Sequence, residues 1–92
     1  MDVSNSHDRD EILSRLVDWS IDGETLHRTF VFGDFTEAMG FVTRVAILAE
    51  KANHHPDIDI RWNKVTLALT THDAGGLTDK DVGLAEKIDR LR

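Results

Sequence analysis

The sequence contains no cysteine and only one proline. Without cysteine there is no disulfide framework, no thiolate nucleophile and no Cys-type zinc site, and nothing points to secretion. No apolar run is long enough to cross a bilayer, and no signal-peptide pattern opens the chain. The expectation is a soluble, cytoplasmic protein without membrane contact. Positive charge is also short: 11 basic residues are scattered among 17 acidic ones, a formal net charge of −6. A protein that grips phosphates needs a basic patch, so direct nucleic-acid binding is not expected. Repeats and low-complexity segments are absent. The 92 residues fit one domain. It is expected over residues 7–92, after a loose polar segment at 1–6. So small a domain buries a modest core, and association of copies is a common remedy.

Apolar periodicity supplies the elements. "DRDEILSRLV" reads as a short helix, with Asp8 and Glu11 as a capping box and Ile12, Leu13, Leu16 and Val17 as its apolar stripe. Asp22-Gly23 marks a turn between a short strand at Trp19 and a longer one from Leu26, where Leu26, Phe30 and Phe32 share a face. "DFTEAMGFVTRVAILAEKAN" is the longest helix, started by Asp34 and Glu37. Ala38, Val42, Val45 and Ala49 form its stripe, with Phe35, Met39 and Ala46 alongside. Phe41, Ile47 and Leu48 flank its polar strip, so a second surface needs cover, either from the first helix or from another subunit. "DIDIRW" and "VTLALTT" alternate strictly and read as a hairpin closed by Asn63-Lys64. Thr78 caps a last helix whose buried side is Leu84, Ile88 and Leu91. The order α-β-β-α-β-β-α predicts a single α+β domain, a four-stranded antiparallel sheet with helices packed on one face.

The proline stands in "EKANHHPDIDIRW", directly after two histidines. With the turn at Asn63-Lys64, Asp57 opposes Thr70 and His55 opposes His72. His54, His55 and His72 then gather at one end of the sheet. Pro56 biases His55 toward an extended conformation, and Asn53 suits the left-handed cap that stops the long helix. Glu50 lies one turn back from His54. Asp73 follows His72, and Ala74 to Gly76 make a small-residue loop that leaves room for a ligand. Imidazole titrates near neutrality, so two histidines flanking a small substrate can donate one proton and accept another. Other readings stand beside this one. The trio can be structural, or it can ligate a metal, although adjacent side chains on an extended strand point apart. Asp81 can simply cap its helix, Glu50 can be solvated, and Gly75-Gly76 can be only a flexible turn. His7 and His27 read as structural or exposed.

Glu50, His54, His55 and Pro56, then the aromatic Trp62, then "THDAGGLT" and Asp81 resemble the pterin-4a-carbinolamine dehydratase family. The stretch from Phe30 to Ala46 does so as well, and the likeness runs from about Trp19 to the C-terminus. The resemblance implies an α+β fold and loss of water from a 4a-hydroxytetrahydropterin to give the quinonoid dihydropterin, which recycles the pterin of aromatic amino acid hydroxylases. It implies no metal and no bound cofactor. It implies a homodimer or homotetramer, which would cover Phe41, Ile47 and Leu48. His54 and His72 would be the acid/base pair and His55 would hold the pterin. Glu50 and Asp81 would tune or orient imidazoles. Asn53 to His55 and Thr70, Thr71, His72 and Asp73 would line the substrate, with Trp19 as a wall. Asp73 departs from the glutamate common in the family, which puts a ring contact in doubt. The alternative is a non-catalytic pterin-binding or assembly module on the same fold.

Overall fold

The computed structural model of the chain describes residues 6–92, with side chains from Arg9 onward. Residues 1–5 of the expected loose segment and the side chains of His7 and Asp8 lie outside these residues, whereas Ser6, the last residue of that segment, already belongs to the first helix. Helix α1 (Ser6–Arg15) leads to strands β1 (Ser20–Asp22) and β2 (Thr25–Val31). Helix α2 (Phe35–Ala52) follows, then β3 (Asp57–Arg61), β4 (Lys64–Leu69), a 3-10 turn at His72–Ala74, and helix α3 (Asp79–Asp89). The four strands form one antiparallel sheet in the order β1-β2-β4-β3. Leu26 and Phe30 of β2 and Val65, Leu67 and Leu69 of β4 are buried on the face that the helices cover. Residues between them alternate to the open face, where the Thr29 and Thr66 hydroxyls lie 2.8 Å apart. This is the predicted α+β architecture. Among the described residues no helix is long and apolar enough to cross a membrane.

Helix α2 starts as expected. Asp34 has extended backbone and accepts the Glu37 N–H at 2.8 Å, satisfying one of the helix's free donors. Its buried stripe differs from the expected one: Ala38, Phe41, Val45 and Ala49 face the core, and Val42 is only partly buried. Phe41 is the reason. Its ring packs against Phe30 at 4.7 Å and Phe32 at 5.0 Å between centroids, which rotates the helix toward it. Phe41 and Leu48 therefore find cover within the chain. Phe35, Met39, Ala46 and Ile47 stay exposed instead. On α1, Ile12 and Leu16 are buried as expected, whereas Val17 lies past the helix end and is exposed.

Both hairpin turns sit one residue from their expected places. Asp22 pairs with Thr25, so the first turn is Gly23-Glu24, with Gly23 in the left-handed region at φ 60°. Arg61 pairs with Lys64, so the second turn is Trp62-Asn63, and Asp57 opposes Ala68 rather than Thr70. The cause is tertiary. Asn63 is tied to the end of β2, where its O accepts Phe32 N–H at 2.8 Å and its Nδ2 donates to Phe32 O at 2.9 Å. Trp62, not Asn63, takes the left-handed position, at φ 50°. Each partner moves by two residues along its strand, which preserves the face of every side chain.

Candidate active site

Three chain segments converge at the end of the sheet opposite the Trp62-Asn63 turn. The first is the end of α2. Asn53 adopts the left-handed conformation (φ 50°, ψ 43°), and its N–H reaches back to the Ala49 and Glu50 carbonyls. That cap turns the chain so that His54 and His55 leave the helix toward β3. The second is the end of β4, where pairing stops at Leu69. Thr71 and Gly76 then exchange two backbone hydrogen bonds of 3.2 Å, closing a small loop around the 3-10 turn that carries His72. The third is the first turn of α3, with Thr78, Lys80 and Asp81.

The two loop glycines sit in different surroundings. Gly75 is left-handed at φ 73°, and its N–H caps the 3-10 turn on His72 O at 3.0 Å. A Cβ at Gly76 would run into the Glu24 carboxylate, which Arg9 holds at 2.8 Å. The Glu24 carbonyl also accepts the Thr70 hydroxyl at 2.7 Å. The β1-β2 turn thus packs against the outside of the histidine loop.

Asn53, His54, His55, Thr70, Thr71, His72 and Asp73 line one cavity of about 310 Å³. That volume is at the lower end of the range for small-molecule pockets. The trio gathers although its predicted register does not hold: continued past Leu69, the observed pairing sets His55 level with Thr70, not His72. The 3-10 turn brings His72 back to the cavity. Lys80 also lines it, a residue that sequence reasoning missed. Its only signal is its place beside Asp81 in the first turn of α3, and that becomes meaningful once α3 is docked against the end of α2. A second cavity, about 420 Å³, adjoins the first and shares Thr71, Asp73 and Lys80 with it.

The histidines differ in their surroundings. His54 Nε2 lies 2.5 Å from Asp81 Oδ1, and the Asp81 side chain is fully buried. Asp81 Oδ2 accepts the Thr71 hydroxyl at 2.7 Å and the Thr78 backbone N–H at 3.0 Å. Asp81 therefore does both things considered for it: one oxygen closes the capping box of α3, and the other holds His54. An unpaired carboxylate at such depth would be very costly, and these three partners account for its place there. His55 Nε2 meets Glu50 Oε1 at 2.8 Å, but both side chains are largely in solvent, so this pair is weakly held. His72 is exposed at the rim. Trp19 does not reach the cavity. It is buried in the core, its Nε1–H donates to Asp89 Oδ1 at 2.8 Å, and its ring meets Phe30 edge-on. Among the described residues no three His, Asp or Glu side chains are grouped to hold one metal ion.

A held imidazole, two more imidazoles and a small open cavity can move protons on either side of a compact ligand. The model of the family described as pterin 4 alpha carbinolamine dehydratase matches residues 3–91. A protein of Chloroflexus aurantiacus, provisionally named pterin-4-alpha-carbinolamine dehydratase, is 58% identical over 81 residues, covering 88% of this chain and 87% of its own. A crystal structure from Brucella melitensis, described as a transcriptional coactivator/pterin dehydratase, superposes with a TM-score of 0.91 at 35% identity over 98% of both chains. A pterin dehydratase-like protein identified as a RuBisCO assembly factor in the alpha-carboxysome shares the fold, with a TM-score of 0.65 at 23% identity over 79% of this chain and 84% of its own. With a family match over nearly its whole length and the histidine cavity in place, this chain belongs to the pterin 4 alpha carbinolamine dehydratase family.

Proposed function

We propose that the protein removes water from a 4a-hydroxytetrahydropterin to give the quinonoid dihydropterin, by histidine acid/base catalysis and without a metal or bound cofactor. The observation that carries this is the buried Asp81 carboxylate holding His54 at a cavity that His55 and His72 share. In the reaction the C4a–O bond breaks and N5 loses its proton. One group must protonate the departing hydroxyl and another must take the N5 proton as the C4a–N5 double bond forms. His54 and His72, on separate segments of the cavity wall, are assigned these two transfers. His55, paired loosely with Glu50, is assigned to hold the pterin, with Asn53, Thr70, Thr71 and Asp73 beside it.

The same reading places the protein in the cytoplasm, recycling the pterin of an aromatic amino acid hydroxylase. It also takes Phe35, Met39 and Ile47 on α2, with the β3 edge at Ile58, as the surface where copies associate into a dimer or tetramer. The decisive test is stopped-flow dehydration of enzymatically generated 4a-hydroxytetrahydropterin. Faster loss of the carbinolamine than in buffer is expected. Tight pterin binding with no acceleration would make the chain a non-catalytic binding module instead.

A further inference from the structure

From the direction of the hydrogen bonds beneath the cavity, we infer that Thr71 is a positioning residue: it keeps His54 as the Nε2–H form and leaves Nδ1 to exchange protons with the ligand. The Thr78 backbone N–H can only donate, and it does so to Asp81 Oδ2 at 3.0 Å. A carboxylate oxygen accepts, so the Thr71 hydroxyl, 2.7 Å from the same oxygen, is the donor there. A hydroxyl has one hydrogen. The 2.8 Å contact between the Thr71 and Thr78 hydroxyls must therefore be donated by Thr78. Thr78 Oγ1 in turn accepts the Lys80 N–H at 3.3 Å. The result is a one-way chain from the first turn of α3 through Thr78 and Thr71 into Asp81, in which each donor polarises the next.

Two donors on Oδ2 fix the carboxylate plane and turn Oδ1 toward His54 Nε2, 2.5 Å away. With Oδ2 already taking two donors, the Asp81 carboxylate is the acceptor across the 2.5 Å contact as well, so the proton between them is placed on the ring. No other hydrogen bond to the His54 ring is seen among the described residues. In the neutral ring Nδ1 is then the base, and in the cation Nδ1–H is the proton to give. Thr71 is only 7% exposed, so water cannot readily replace its hydroxyl. That Nδ1 acts in dehydration rests on the proposed function; the ring form itself does not.

The test is long-range ¹H–¹⁵N spectroscopy of the labelled full chain at roughly pH 8, above the usual imidazole titration, with kinetics alongside. Wild-type His54 should appear as the Nε2–H form. Thr71→Val should make that proton exchange with water at least about tenfold faster and lower kcat roughly tenfold, with KM changed less than about twofold. Thr71→Ser, which restores the hydroxyl, should recover both. Wild-type His54 in the Nδ1–H form overturns the inference even if Thr71→Val does not fold. So does a folded Thr71→Val with wild-type exchange and kcat, or a change confined to KM. If the spectra behave as expected but wild type dehydrates nothing, the ring assignment stands and the dehydratase reading falls.

Discussion

Replacing Asp81 by asparagine changes one atom's hydrogen-bonding sense at the buried centre of the site. The amide has one oxygen and one NH2 group where the carboxylate has two acceptors. The Thr78 N–H cannot reverse, so the amide oxygen must occupy the Oδ2 position, 3.0 Å from it. The NH2 group then faces His54 Nε2. The opposite orientation sets NH2 against N–H in a fully buried place, and a buried donor left unmatched costs about 1–3 kcal/mol. Facing an NH2 donor, a neutral His54 must carry its proton on Nδ1, the wrong nitrogen for a base, and a cationic ring meets a second donor. Against the same 1–3 kcal/mol, the useful ring form becomes about 5- to 150-fold rarer. Asp81→Asn is therefore expected to lower kcat by about that factor in the stopped-flow assay. Stability should change little, because the amide oxygen still closes the capping box. At about 4–8 °C per kcal/mol for a domain this size, the melting midpoint should move by only a few degrees. Asp81→Ala, which also loses the cap, should melt clearly lower. A folded Asp81→Asn protein with near-wild-type kcat would refute the reasoning, and it would reduce Asp81 to a helix cap.

Three further outcomes are expected. His54→Ala and His72→Ala should each lower kcat by roughly 10²–10⁴-fold, less where water substitutes, whereas His55→Ala should mainly raise KM; steady-state kinetics of the folded variants decides. Dehydration should survive prolonged chelation, since no three His, Asp or Glu side chains of the described residues are grouped around a common point; activity lost to a chelator and restored by a divalent ion would refute this. Light scattering at micromolar concentration should show an oligomer, and Phe35→Asp on the exposed flank of α2 should shift it toward monomer without a large loss of secondary structure by circular dichroism. A monomeric wild type would remove the proposed association surface.

Local rules acting over a few residues were legible in the sequence. The start of α2 at Asp34, its left-handed stop at Asn53, the Thr78 cap and the alternation of β2 and β4 all follow from propensity and period, which operate over one turn or one pleat. Even the mistaken register kept the correct faces, because slipping the pairing by two residues leaves side-chain parity unchanged. The histidine trio was legible only in part: His54 and His55 are adjacent in the chain and the β3-β4 hairpin returns to the same end of the sheet, but the expected opposition of His55 to His72 did not hold, and the 3-10 turn is what carries His72 to the cavity. Everything that depended on a distant partner was decided by the tertiary structure. Asn63 was drawn from its expected turn position by the end of β2, and α2 was rotated by the contact of Phe41 with Phe30 and Phe32. Trp19 went to the core because Asp89, 70 residues on, accepts its N–H. Asp81 met His54 across 27 residues, with Thr71 beneath it, only after α3 docked beside the end of α2. Spacing can announce which side chains a helix turn or a strand face presents, but burial of a charge selects its partners from the whole chain, as Asp81 shows with Thr71, Thr78 and His54.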